Sequence, residues 1–410
     1  MISNKKVLVW DIGGYGIEHA VRLAKEFAAV YYYTPWQEAG PHFVNYAIGL
    51  GFEGIEKVLD PFSLIDKVDM HFFCDVGFGG LANYLRTHGH RVFGCGLGER
   101  LEQDRFYMRQ LQSKLGLPTQ KTVRIKGTTK LRSYLKMHPD KFVKLNIFRG
   151  DIESFRAMSP ATTEMLLDKI ESELGSHKEQ FDFLVEDKVE GIEPGWDGLF
   201  NGRWVRPCLW GFENTAAYLG TYDEALPPVM EAIAKKLIEP LNGLGVRGAV
   251  STEIRLPSPN KGYIIDMTMR FPYPLSLIYT ESIKNYGEVM WKVAGGEDVR
   301  VKPAGKYVGC VPVMSYFAEK NWLALEFNKS LRKNVKFMRA SCVNGNYYAV
   351  KGEEGGFIIV AVENTLEAVV DKLKDVAGEV HCHEQRDDGI GQLMEDFETV
   401  KEARKVGLWL

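Results

Sequence analysis

Tyr263-Ile264-Ile265-Asp266-Met267-Thr268-Met269-Arg270, preceded by Gly248-Ala-Val-Ser-Thr-Glu253-Ile-Arg255-Leu256, is the most informative feature of the sequence. The first segment alternates as a strand does, so Asp266, Thr268 and Arg270 share one face while Ile265 and Met267 take the other. The second also reads as a strand, and Pro257-Ser-Pro-Asn-Lys-Gly262 supplies the turn between them. Pairing Leu256 with Tyr263 sets Glu253 opposite Asp266 and Ser251 opposite Thr268. Two facing carboxylates repel across a ladder, by up to about 1 kcal/mol. A hard divalent cation between them turns that repulsion into a binding site, and an arginine one pleat along can hold a phosphate carried by the cation. An exposed hairpin in another register is the alternative reading of the same residues.

The chain has 410 residues, enough for two to four domains at about 100–200 residues each. A net charge of -3 and short, scattered basic clusters give no support for a nucleic-acid or membrane partner. The six cysteines show no paired spacing, which favours a reduced, cytoplasmic setting. No apolar stretch reaches the length of a membrane span, and the N-terminus enters a strand without a signal peptide.

Residues 5–116 alternate strand and helix: Lys6–Trp10, a helix from Gly16 to Phe27, Val30–Tyr33, His71–Cys74, a strand from Arg91, then a helix from Glu99 to Leu115 stopped by Gly116. This predicts an open, mostly parallel α/β sheet over 1–117. Short strands around a helix entered through Ser159-Pro160 predict a small α+β lid over 118–189. The hairpin lies within a third domain, 190–300, and a β-rich domain with a helix from Thr365 to Ala377 occupies 301–410. The fold class is thus multidomain, α/β with α+β. Asp11-Ile-Gly13-Gly14-Tyr-Gly16 lacks the G-x-G-x-x-G spacing, and the strand Val30–Tyr33 ends without the acid that grips a ribose, so a nicotinamide site is rejected. A glycine turn opening a helix can still bind phosphate or carboxylate through free backbone N–H groups.

Gly13-Gly14-Tyr-Gly16-Ile-Glu18-His19-Ala20 resembles the G-G-x-G-R-E-H-A opening of the phosphoribosylamine–glycine ligase family, part of the ATP-grasp superfamily. Further similarities follow in order along the chain. Thr34-Pro35…Ala39-Gly40 resembles A-P-G-N-A-G, Leu101-Glu102-Gln-Asp-Arg105 resembles L-E-x-S-K, and Gly116-Leu-Pro118-Thr119 resembles G-I-P-T. Asn214-Thr215-Ala-Ala-Tyr218 is similar to N-T-G-G-M, Asp266-Met-Thr268-Met-Arg270-Phe271 to E-x-N-x-R-F, and Arg386-Asp-Asp388-Gly-Ile390-Gly391 to R-x-D-I-G.

The resemblance implies an ATP-grasp fold and an ATP- and Mg²⁺-dependent ligation, in which a carboxylate becomes an acyl-phosphate and an amine displaces the phosphate. It places Glu253, Asp266 and Thr268 on Mg²⁺ and Arg270 on the γ-phosphate. It places Lys144 and Arg105 on nucleotide phosphates, the backbone around Glu186 and Val189 on the adenine edge, and Glu193 on the ribose hydroxyls. Gly14, Gly16, Glu18, His19, Asn214 and Thr215 fall where the family binds substrate. The implied partners are a small carboxylate such as glycine and an amine, for a monomer or small homo-oligomer. Three departures bear on the substrate: an acidic Asn146–Phe155 in place of a glycine-rich lid, Pro272-Tyr-Pro274-Leu in place of G-D-P-E, and the bulk of Ala-Ala-Tyr218. They leave open an amino acid joined to another amine, such as a modified nucleotide, or a nucleotide-binding protein without turnover.

Overall fold

Lys6–Trp10 is too short for a helix and too continuously apolar for a half-buried strand, and it becomes the middle strand of a five-stranded parallel sheet. The strand order is Ile55–Lys57, Ala29–Tyr33, Lys6–Trp10, Met70–Phe73, Val92–Phe93. Trp10 anchors one face, stacked on Phe73 with ring centroids 5.5 Å apart. The computed structural model describes residues 2–35, 48–146, 154–214, 217–351, 357–386 and 388–405, without the side chains of Asn214 and Asp388. It divides into two compact units, one of Met1–Gly98, Pro194–Ser251 and Thr268–Leu410, the other of Glu99–Glu193 and Thr252–Met267.

In the first unit the parallel sheet is joined by an antiparallel one. Pro194–Phe200, Cys208–Asn214, Ala217–Asp223, Tyr307–Ser315, Phe357–Glu363 and Val335–Phe337 pair in that order. The helices Leu366–Gly378 and Asp388–Lys405 pack against these strands. Thr365 caps the former by accepting from the Ala368 N–H, as its type and place predict. Tyr218, bulky for its position, is absorbed within the sheet. Its ring lies so close over Gly220 that a Cβ there would sit 2.6 Å from Cε1, and its hydroxyl donates to buried Asp197 at 2.8 Å. All six cysteines are free, and among the described residues no helix is long and apolar enough to cross a membrane.

The second unit is built on a four-stranded antiparallel sheet in the order Thr122–Lys126, Asp182–Asp187, Lys141–Leu145, Ser154–Ala157. The helices Thr128–Met137 and Pro160–Leu174 close a core that includes Leu131, Val143, Leu167 and Phe183. Ser159 caps the second helix and Pro160 opens it, the arrangement that a fixed φ and a missing N–H favour.

Two expectations are corrected here. The helix expected from Glu99 to Leu115 is broken at Asp104 into Arg100–Gln103 and Arg105–Lys114. The Asp104 carboxylate accepts from the Tyr107 N–H at 3.0 Å, capping a new helix instead of continuing the old one. The hairpin strands run as Gly248–Ser258 and Lys261–Thr268, leaving only Pro259-Asn260 as the turn. Pro257 withholds an N–H from the ladder, yet its fixed φ still suits an extended chain.

Candidate active site

Restarting the helix at Arg105 gives it a buried stripe of Arg105, Met108, Arg109 and Gln112, spaced so that all share one face. The polar members of the stripe reach toward the strand that carries Asp266. Arg105 Nη1 donates to the Leu145 carbonyl at 2.8 Å, and its Nε lies 3.4 Å from Asp266 Oδ2. Gln112 Nε2 donates to the Ile264 carbonyl at 3.0 Å.

Lys144 sits near the end of the strand Lys141–Leu145, buried, with Nζ 3.4 Å from Asp266 Oδ2 and donating to the Ile265 carbonyl at 2.9 Å. Asp266 therefore faces two cations. Burial pushes its carboxyl up, but Lys144, Arg105 and Arg109 together outweigh that and hold it below the ordinary carboxylate range. Glu253 is exposed along the cavity wall, and partial desolvation by the surrounding protein, then the nearby charge of Asp266, raise its carboxyl. The two carboxylates thus titrate in opposite directions, one held charged by cations and the other resisting charge beside it.

Lys144, Glu253 and Asp266 line a cavity of about 340 Å³, together with Phe142, Val189 and Glu193. That size and its mixed lining suit a small-molecule site. Asp187, Lys188 and Val189, which follow the strand Asp182–Asp187, form another part of its wall. The Glu186 side chain is not free for a ligand, because it forms a two-pronged ion pair with Arg109 at 2.6 and 3.0 Å and accepts from Thr122 at 3.2 Å. Burial raises its carboxyl, and the bonds and charge of Arg109 and Lys144 bring it below its usual value. Glu193 is paired with Arg255. Among the described residues no three His, Cys, Asp or Glu side chains converge as a complete metal cage would. Two hard carboxylates do fit Mg²⁺, which typically takes one or two from the protein and completes its shell with water and substrate phosphates.

Other expected site residues lie in the first unit. Thr268 ends its strand there, and Arg270 Nε pairs with Asp75 Oδ1 at 3.2 Å. The glycine turn departs from the expectation of free N–H groups. Asp11, itself buried, accepts from the backbone of Gly14 at 2.9 Å, Tyr15 at 3.1 Å and Gly16 at 2.6 Å, and from the Tyr32 hydroxyl at 2.6 Å. An internal carboxylate thus fills the place an external anion would take, and burial pushes its pKa up to about 6. Glu18 is 2% exposed, held by Arg332 at 2.8 Å and by the Phe337 N–H at 3.2 Å. His19 is fully buried, its Nδ1 sharing a hydrogen bond with the Tyr286 hydroxyl at 2.7 Å and its ring stacked on Phe271. Asn214 ends the strand Cys208–Asn214, while Thr215 and most of the segment Asn146–Phe155 lie outside the described residues.

Arg109, Gln112 and Asp11 are the residues that reading the sequence missed. The signal for the first two was present: Arg105, Arg109 and Gln112 recur at spacings of a single helix face. For Asp11 the signal was an acid ending an otherwise apolar strand just before a glycine turn.

No model of a known protein family matches the chain, and no curated protein sequence does. Solved structures do match. Phosphoribosylamine–glycine ligase from Thermotoga maritima superposes with a TM-score of 0.70 at 16% identity, over 93% of this chain and 98% of that one. Biotin carboxylase from Campylobacter jejuni, solved as a β-γ-ATP complex, gives 0.66 at 14% identity, over 97% and 96%. L-amino acid ligase from Bacillus licheniformis gives 0.62 at 14% identity, over 94% and 100%. These three are ATP-grasp proteins, and the chain, aligned with them over nearly its whole length, has the ATP-grasp fold.

Proposed function

We propose that the chain is an ATP- and Mg²⁺-dependent ligase that joins a carboxylate to an amine through an acyl-phosphate. The observation that carries this reading is Asp266 facing Lys144 and Arg105, each at 3.4 Å, with Lys144 and Asp266 on the wall of a nucleotide-sized cavity. Cations already arranged around one carboxylate supply positive charge to phosphate oxygens with little further reorganisation. Glu253 and Asp266 would hold Mg²⁺, which when bound neutralises charge on the transferring phosphoryl group. The backbone of Asp187–Val189 offers the edge of a base its donors and acceptors, and Glu193 accepts from a ribose hydroxyl. Residues 118–189 act as the lid that keeps water from the acyl-phosphate.

Glycine and phosphoribosylamine are one substrate pair, and an amino acid with a different amine is another. Asp11 favours the second, because its carboxylate already occupies the N–H groups of Gly14, Tyr15 and Gly16 that a substrate phosphate would seek. The test is Mg²⁺-dependent ADP release from ATP, with glycine plus freshly generated phosphoribosylamine beside a panel of other amino acids and amines. Release that needs a carboxylate and an amine together supports a ligase, and dependence on glycine with phosphoribosylamine would give it a place in purine synthesis. ATP binding with no release for any pair would leave a nucleotide-binding protein without turnover.

A further inference from the structure

We infer that Arg109 is a positioning residue that sets the separation between the base-binding and metal-binding parts of the cavity. A guanidinium has five N–H donors in a fixed fork, and at Arg109 each has an acceptor. Nε donates to Glu186 Oε1 at 2.6 Å, and Nη2 donates to Glu186 Oε2 at 3.0 Å and to the Ile265 carbonyl at 2.6 Å. Nη1 donates to Gln112 Oε1 at 3.1 Å and to the Ile264 carbonyl at 3.2 Å. The side chains of Arg109 and Glu186 are 7% and 3% exposed, so water does not substitute for these bonds.

The partners explain the role. Glu186 is the penultimate residue of the strand Asp182–Asp187, and the residues that follow it line the cavity. Ile264 and Ile265 immediately precede Asp266 on the other strand. One rigid fork therefore ties the strand that presents the base edge to the strand that presents the metal carboxylate. Lys144 is poised between them, 3.9 Å from Glu186 Oε2 and 3.4 Å from Asp266 Oδ2. With Arg109 gone, Glu186 would be a buried carboxylate whose nearest remaining cation is Lys144, and it would draw that lysine from Asp266. Lysine at position 109 keeps the charge but loses the planar fork, so it cannot hold both sides at once.

Arg109 has this role only if the cavity holds a nucleotide, as proposed above, and the experiment separates the two claims. ATP affinity is measured by calorimetry with saturating Mg²⁺, and then as a function of Mg²⁺, for the wild type, Arg109→Lys and Glu186→Gln. Each variant is first shown to be folded by circular dichroism at the working temperature. If the wild type binds no ATP, the nucleotide reading itself fails. If it does, Arg109→Lys is expected to weaken ATP about ten-fold or more and to raise the Mg²⁺ needed for half-saturation, as losses of ligand-orienting groups do. Glu186→Gln should move both quantities in the same direction, and it carries the test if Arg109→Lys does not fold. A folded variant with a lower melting temperature but unchanged ATP affinity and Mg²⁺ dependence would reduce Arg109 to a structural ion pair and overturn the inference.

Discussion

Asp266 is where the electrostatics of the candidate site converge, because nearby cations hold it charged and that charge raises Glu253. Asp266→Asn should abolish most Mg²⁺-dependent ADP release while circular dichroism and the melting temperature show an intact fold; undiminished release would remove Asp266 from the site. Lys144→Ala should weaken ATP, and an unaltered affinity would count against its role. His19 allows a prediction about stability. Burial lowers its pKa to about 3 from the ordinary 6.5, with the charge of Lys336 adding to the effect. The folded chain thus refuses a proton that the unfolded chain accepts, so this contribution is full above pH 6.5 and is lost as pH falls toward 3. The slope is about 1.4 kcal/mol per pH unit, or roughly 2 kcal/mol between pH 6.5 and 5. Chemical denaturation of the wild type against His19→Gln should show the wild type losing its advantage over that range, and a constant difference would mean that His19 is not held neutral. At this scale Glu253 and Asp266 were legible because strand alternation says which side chains share a face, whereas Lys144 was singled out by the family resemblance alone. Arg109 was not legible, since a helical arginine reads as surface until its partners on two distant strands are known.

The helix break at Asp104 shows how one side chain changes an element. Periodicity runs through residue 104, and only the competition between the Asp104 carboxylate and the backbone decides that a new helix starts there. Asp104→Ala should cost about 1 kcal/mol through the lost cap, read as a lower denaturation midpoint. An unchanged midpoint would mean that the carboxylate does not hold the Tyr107 N–H in solution. In the antiparallel sheet, Gly220→Ala places a methyl against the buried Tyr218 ring and should cost about 1–3 kcal/mol by overpacking. A variant as stable as the wild type would show that the ring can move aside. In the second unit the strands Thr122–Lys126, Lys141–Leu145 and Asp182–Asp187 and the helix opened by Ser159-Pro160 were legible, whereas the helix Thr128–Met137, which no side chain caps, and the strand Ser154–Ala157 were not. The closing helix Asp388–Lys405 was not, because its residues were read only as a terminal motif. The turn at Pro259-Asn260 came out shorter than expected because proline was taken to end a strand that it only deprives of a bond.

Across the whole chain, the fold was legible because weak motifs recur in order from Gly13 to Gly391, and an ordered series is harder to obtain by chance than any one match. The substrate was less legible, since Asp11 reaches the glycine turn only after folding and cancels the free N–H groups that the turn alone suggests. A ligand that binds only the folded chain stabilises it by about 2.7 kcal/mol at a hundred times its dissociation constant. ATP with Mg²⁺ should therefore raise the melting temperature of the wild type, and an unmoved transition would count against a nucleotide site. The most direct test is a calorimetric titration of ATP into the wild type and Asp266→Asn, each with and without Mg²⁺. Saturable one-site binding to the wild type that depends on Mg²⁺, weakened about ten-fold or more in Asp266→Asn, is the predicted result. No binding at millimolar ATP, or equal and Mg²⁺-independent affinity in the two proteins, would contradict it.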